Sequence, residues 1–423
     1  MSLSSLRSVS PRSARRDDDA VPGMPPAQHP FWSRLESPLS TYYLLVAVVA
    51  ALLLIGLVMV LSASSVESLR SGGSSYSVFL KQAQFAVIGV VGCAVASRVP
   101  IYAWRRLAIP LLLLAIGLQA LVLTPLGVDV LGNRNWLRLG PIQFQPSEIG
   151  KIAIIVYGAA VLATKRKLLH QWRHAIVPLL FPSGAMVVGL VLLGHDLGTS
   201  LVLLAIIAGL LWAAGVSGRL FALAGAVGAV GVGLLVLFSG NRMHRLNLWL
   251  SCTDVQQCWQ TQHGRFALAD GGLSGLGLGA SREKWLWLPA PHNDFIFAII
   301  GEELGIGGTL MVIALFALFA LACYRIVLRT DDPFVRVATA GVMTWILVQA
   351  MINIGSVIGV LPVIGVNLPL VSSGGSALMT TLFALGMVIS FARNEPACRR
   401  ALAARPRVVR RSLAVFTARE GRR

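Results

Sequence analysis

Residues 295–324 read FIFAIIGEELGIGGTLMVIALFALFALACY, and Glu302 and Glu303 are the only charges in the stretch. A bilayer core takes about 20 apolar residues as one helix. This run is long enough to cross a membrane and too long to do so upright. Its Gly301, Gly305, Gly307 and Gly308 predict a break or a tilt. A carboxylate at the centre of such a helix costs about 2.5–3.5 kcal/mol on insertion scales, so each needs a partner or a wet cavity. A structural ion pair and a chemical role account for the two acids equally well at this point.

Comparable apolar runs lie near 41–63, 79–98, 107–126, 147–164, 175–194, 199–216, 220–239, 336–355 and 374–392. Together with the first they predict an all-α polytopic membrane protein of about ten transmembrane helices. A long extracytoplasmic loop separates spans seven and eight. Composition agrees: 56% of residues are hydrophobic and 13% charged, half the charged share of a soluble domain, about 25%. Disorder needs low hydrophobicity, and five Cys are too few for a disulfide scaffold. No small-residue cleavage site closes the polar residues 1–38, so no signal peptide is expected ahead of the first span.

Thirty-six Lys and Arg against 18 Asp and Glu leave a net charge of +18. Their placement explains most of it. Arg98, Arg105, Arg106, Lys165, Arg166, Lys167, Arg173, Arg219, Arg325, Arg329 and Arg336 fall on one side of alternating spans. By the positive-inside rule that side is the cytoplasm. Residues 1–39 are then a disordered basic N-terminal tail, 40–393 the transmembrane domain and 394–423 an Arg-rich C-terminal tail, with both termini cytoplasmic. Anionic lipid is the partner expected for the basic face. Nucleic acid is excluded, because no reader motif accompanies the charge.

The opposite side carries 127–145, 240–293 and 356–373, and the polar chemistry collects there. An outward loop is an oxidising setting, so Cys252 and Cys258 are expected to form a local disulfide. The Gly275-x-Gly277-x-Gly279 run lacks the preceding strand and the Lys-Ser/Thr ending of a nucleotide loop; it reads as a place where backbones pack closely. Asp294 opens the apolar run quoted above and suits a helix cap as well as it suits chemistry. Glu148 and Lys151 share a helix face at i, i+3. They read as a structural pair or, since Lys151 stands about a turn inside the membrane, as part of an anion site. Asp196 sits at the outer end of span five. Pro362, Pro369, Gly374 and Gly375 predict a broken, re-entrant backbone, tolerated at depth only where it lines a cavity. These clusters describe an outward-facing cavity with carboxylates, one lysine, and Arg134 and Arg138 nearby.

Several long motifs, in order through most of 40–393, resemble the SEDS family (shape, elongation, division and sporulation), and its division-type members more than its elongation-type ones. They are Gly132-Asn133-Arg134-Asn135-Trp136, Phe144-Gln145-Pro146-Ser147-Glu148 with Lys151, Asp196-Leu197-Gly198-Thr199, Ser281 with Lys284, Leu288 through Gly305, and Asn353 through Ser376. The chain departs from the family pattern at His195, Ala290, Asn293, Ser373 and Ala377.

The resemblance implies a peptidoglycan glycosyltransferase of the bacterial plasma membrane that polymerises lipid II at the division septum. It implies a class B penicillin-binding transpeptidase and divisome regulators as partners. It makes Asp294 the catalytic residue, with Lys151, Arg134, Trp136, Gln145, Glu148, Asp196, Lys284, Ser372 and Gly374 binding substrate. An α-linked pyrophosphate replaced by a β-linkage is one inversion, hence one displacement and one general base. Arg138 is a further candidate for the pyrophosphate. No cofactor is assigned; a divalent cation, Mg or Mn, is the one candidate, with Asp196 or Glu148 as ligands. The alternatives are a lipid II flippase, a non-catalytic scaffold for the transpeptidase and an elongation-type polymerase.

Overall fold

The structure is a computed structural model that describes residues 38–70, 74–130, 133–140, 142–168, 179–237 and 258–404, with isolated positions at 177, 243, 246–247 and 249–250. The tail segments 1–37 and 405–423 lie outside the described residues, as does Cys252 of the expected disulfide; Cys258 is described and buried.

Apolar runs become helices because a helix satisfies every backbone group within its own segment, which lipid cannot do for it. In chain order these are α1 (Pro38–Arg70), α2 (Ser77–Ala96), α3 (Ile101–Arg106), α4 (Ala108–Val122), α5 (Pro146–Thr164), α6 (Ala185–Leu193), α7 (Leu197–Ala213) and α8 (Gly218–Leu237). Then follow α9 (Trp259–Gly271), α10 (Ile296–Arg329), α11 (Pro333–Ile358), α12 (Gly375–Asn394) and α13 (Pro396–Ala404). Among the described residues six helices are long and apolar enough to cross a membrane, and four more apolar helices are shorter. Each of the ten coincides with an apolar run read from the sequence.

The helices divide by what covers them. α5 and α12 are mostly buried in protein, whereas α2 turns most of its apolar surface outward, with Val87, Ile88, Val91 and Val95 exposed. That is the pattern of a chain whose outer solvent is lipid. α12 packs on α2, α10 on α1, and α11 on both α5 and α7.

Three features differ from expectation. The chain is not wholly helical: β1 (Gly127–Val130), β2 (Asn133–Leu139) and β3 (Ile142–Phe144) form an antiparallel sheet in order β1-β2-β3 where a loop was expected. Period-2 patterning in NRNWLRL, with Asn135 and Leu137 buried, is what a strand over a packed surface requires. Second, the 240–293 segment contains helix α9. Third, the segment expected at 175–194 is helical as α6 only after a π-type turn, Leu180–Gly184.

The predicted break in α10 falls at Gly305, whose φ of 66° and ψ of −164° leave the helix. The glycine-rich run lies beside it. Leu276 N donates to Glu302 O at 2.9 Å, Gly277 N to Glu303 O at 3.0 Å, and Ile306 N to Gly272 O at 3.0 Å. A Cβ on Gly275, which has φ 77°, would overlap the Glu303 carbonyl. Glycine here permits a positive φ and backbone contact together.

Candidate active site

A cavity of about 310 Å³ lies where β2, α5, α7, α11, the turn before α10 and the segment leading into α12 meet. Each part is placed by ordinary local rules. Pro146 starts α5, where its missing N–H costs nothing, and this sets Glu148 in the first turn and Lys151 one turn on. Asp196 is the N-cap of α7, its carboxylate accepting from Thr199 N at 2.8 Å and Thr199 Oγ1 at 2.6 Å. Irregular backbone between α11 and α12 supplies Ile364, Gly365, Val366 and Asn367. The turn before α10 supplies Asp294.

The acids are held differently. Glu148 Oε1 is 2.7 Å from Lys151 Nζ, both side chains being at least nine-tenths buried. Lys151 also donates to Gln349 Oε1 at 3.2 Å and stands 4.8 Å from the Trp345 ring centre. Glu148 Oε2 accepts from Thr380 Oγ1 at 3.2 Å. A buried ion pair survives only with such added bonds, because its desolvation cost rivals its attraction. Asp196 accepts a third bond from Gln145 Nε2 at 3.0 Å.

Asp294 does not cap a helix: α10 begins at Ile296, with Phe295 in the cap position. Its placement comes from the backbone around it. Asn353 Nδ2 donates to Asp294 O and to Val366 O, both at 2.8 Å, joining the turn to the irregular segment. Ser372 Oγ donates to Asn293 O at 2.7 Å, and Ser373 N to His292 O at 2.9 Å. Four bonds thus hold a two-sided support under one carboxylate.

Seven residues expected at the site line this cavity: Asp294, Lys151, Glu148, Asp196, Trp136, Gln145 and Gly374. Three do not. Arg134 lies across the strand from Asn133 and Asn135, its Nη2 donating to Thr124 O at 2.6 Å at the end of α4. The pairing with β1 is irregular here, Val128 facing Trp136 and Asp129 facing Arg134, so Arg134 and Trp136 do not follow simple alternation. Ser372 is a buried pin of the backbone rather than part of the wall. Lys284 is buried elsewhere, donating to Gly279 O at 2.6 Å, Glu303 Oε1 at 3.1 Å and Ser62 Oγ at 3.2 Å. Arg138 is exposed and does not reach the wall.

Glu302 and Glu303 form a clamp outside the cavity. Glu302 accepts from Ser281 Oγ and Arg282 N, both at 2.6 Å; Glu303 accepts from Ser62 Oγ at 2.6 Å and pairs with Lys284. They fasten the 281–284 turn and α1 to the broken helix. Sequence reading missed Gln349 and Asn367, which line the cavity and are joined by Gln349 Nε2 donating to Asn367 O at 3.0 Å. A carboxamide inside the apolar run TWILVQAMINIG was the available signal.

The donors do not fit a resident Mg or Mn centre. Glu148 is committed to Lys151 and Asp196 to the start of α7. Among the described residues no group of three or more His, Cys, Asp or Glu is placed to hold a metal ion.

Residues 42–396 match the FtsW/RodA/SpoVE cell cycle protein model. The chain is 39% identical to the probable peptidoglycan glycosyltransferase FtsW of Mycobacterium tuberculosis over 383 residues, 90% of this chain and 73% of that one. It is 36% identical to stage V sporulation protein E of Bacillus subtilis over 356 residues, 83% of this chain and 96% of that one. Among solved structures it superposes on Thermus thermophilus rod shape determining protein RodA with a TM-score of 0.63 at 27% identity, covering 83% of this chain and 96% of that chain. A chain from a peptidoglycan synthase complex that coordinates polymerization and crosslinking gives a TM-score of 0.68 at 26% identity, with 83% and 97% covered.

Proposed function

The chain belongs to the FtsW/RodA/SpoVE cell cycle protein family, and we infer from its relatives and its cavity how it acts. It is a multi-pass membrane protein and a peptidoglycan glycosyltransferase. The substrate is lipid II, joined to a growing glycan with undecaprenyl pyrophosphate as the leaving group. The observation that carries the reading is one carboxylate, Asp294, set by backbone bonds into a cavity that also holds a lysine and several carboxamides.

In the reaction the acceptor hydroxyl oxygen attacks the donor's anomeric carbon. Asp294 takes the hydroxyl proton, the new C–O bond forms, and the bond to pyrophosphate breaks with its electron pair leaving on the phosphate oxygen. Inversion in one step requires no covalent enzyme intermediate. A positioned base contributes about 10²–10⁴-fold. Lys151, its charge shared with Glu148, and the second N–H of Gln145 and of Gln349, whose first goes to Asp196 and Asn367, meet the charge on the departing pyrophosphate; in a water-poor site such donors are worth more than in water. Trp136 offers a sugar an apolar face. Any Mg or Mn would enter with the pyrophosphate, since Mg commonly binds through one or two carboxylates plus phosphate oxygens, and no step above runs through it.

The partner is a class B penicillin-binding transpeptidase, a reading supported by the synthase complex among the structural neighbours. Action at the division septum under divisome regulators is supported by the FtsW relatives. Both termini lie in the cytoplasm, where the Arg-rich ends meet anionic lipid. The test is polymerisation of purified lipid II by the detergent-solubilised protein with its transpeptidase, comparing wild type with Asp294→Asn. Glycan strands made equally well by both would remove Asp294 as the base.

A further inference from the structure

A second cavity, of about 570 Å³, lies under the loop that leads into Asp294. Its walls are Leu286, Leu288, Pro289, Ala290 and Pro291, and its polar floor is Glu67, Arg70 and Lys284. Lys284 brings no net charge, because Glu303 neutralises it at 3.1 Å. What remains is one carboxylate and one guanidinium. They sit at i, i+3 on the last turn of α1, both exposed, and Arg70 has no ion pair among the described residues. Behind Glu67 lies His292, about nine-tenths buried. Its Nδ1 makes no hydrogen bond and stands 3.3 Å from Glu67 Oε2.

We propose that this cavity binds the peptide carried by the substrate, a short chain bearing both carboxylates and a free amine. The inference rests on the glycosyltransferase reading. Charge decides the class of ligand. A pyrophosphate would meet one uncompensated cation beside a carboxylate, a poor site for a multiply charged anion. A zwitterionic peptide matches both groups: its carboxylate meets Arg70, which can bind it through two parallel N–H bonds, and its amine meets Glu67. Pro289, Ala290 and Pro291 form an apolar wall suited to small aliphatic side chains. Residues 284–291 wall this cavity, and the same loop then carries Asp294 into the first one. A sugar held at Asp294 therefore has its peptide within reach of the other side of the loop.

Calorimetric titration of the full chain in detergent tests the assignment, with the free synthetic stem pentapeptide of a peptidoglycan precursor as the probe. Wild type and Asp294→Asn should bind it alike. Arg70→Gln and Glu67→Gln, with unchanged melting curves, should each weaken binding about five- to tenfold, the scale of one ordinary hydrogen bond at an exposed site. A peptide acetylated on its third-residue side-chain amine and amidated at its C-terminus should lose as much on wild type. Unchanged binding in both variants overturns the proposal, as does equal binding of the capped peptide or Arg70-dependent displacement by inorganic pyrophosphate. Glycan assays run in parallel separate the two claims: intact peptide binding without any polymerisation would remove the enzymatic reading and leave the peptide site.

Discussion

Two groups of acids only a few residues apart in sequence have opposite fates. Glu302 and Glu303 lie in the most apolar surroundings and attract functional interpretation first. Asp294, at the start of the same run, looks like an ordinary helix cap. In the fold the two glutamates are met by Ser62, Ser281, Lys284 and backbone N–H groups, and they hold a turn in place. Asp294 instead is carried into a cavity on a turn whose carbonyls accept from Asn353 and Ser372. Burial alone does not mark a reacting group. What distinguishes the two is where the fold puts each carboxylate: the glutamates join the 281–284 turn and α1 to the broken helix, whereas Asp294 lines the cavity.

Asp294→Asn gives the largest expected effect: about 10²–10⁴ lost in glycan polymerisation, with thermal unfolding unchanged. A drop in melting temperature alongside the lost activity would place Asp294 with the clamp and collapse the distinction. Glu303→Gln is the counterpart. It leaves Lys284 as an unmatched buried charge and should cost about 3–5 kcal/mol of stability, seen in thermal unfolding in detergent. Adding Lys284→Met should restore part of it. Activity lost at full stability would instead make the clamp catalytic.

Gly275→Ala tests the seam next to the clamp. It demands a positive φ and meets the Glu303 backbone, so about 1–3 kcal/mol should be lost with the cavity chemistry intact in the protein that remains folded.

The smallest effect is a pH dependence at His292, in the loop just before Asp294. Burial pushes its pKa below the usual histidine value, and Glu67 opposes this only in part. The unfolded chain therefore binds more protons than the folded one as pH falls through about 6.5. His292 contributes its stability above that pH and loses it below, down to the lowered folded value. His292→Gln should flatten this part of the stability–pH curve. A curve of unchanged slope would locate the dependence elsewhere.

Much of this was legible in the chain because lipid is a strict solvent. Apolar length foretold ten helices, four glycines foretold the break in α10, and paired prolines and glycines foretold the irregular segment before α12. The 127–145 strands were missed because a short alternating pattern beside membrane helices resembles a loop. Arg134 was expected to bind substrate from the motif it shares with Trp136; in the fold it donates to Thr124 O just past α4. Lys284 was expected to bind substrate; it pairs with Glu303 and lines the second cavity rather than the one around Asp294.

By itself the sequence determined that the chain lives in a bilayer and which few ionisable residues demanded an explanation. These follow from the cost of polar groups in hydrocarbon, which is set residue by residue. Only the tertiary structure decided which of those residues share a cavity and which have already spent their charge on a partner. Partnering depends on distances of about 3 Å between residues tens to hundreds of positions apart, and no local pattern encodes them.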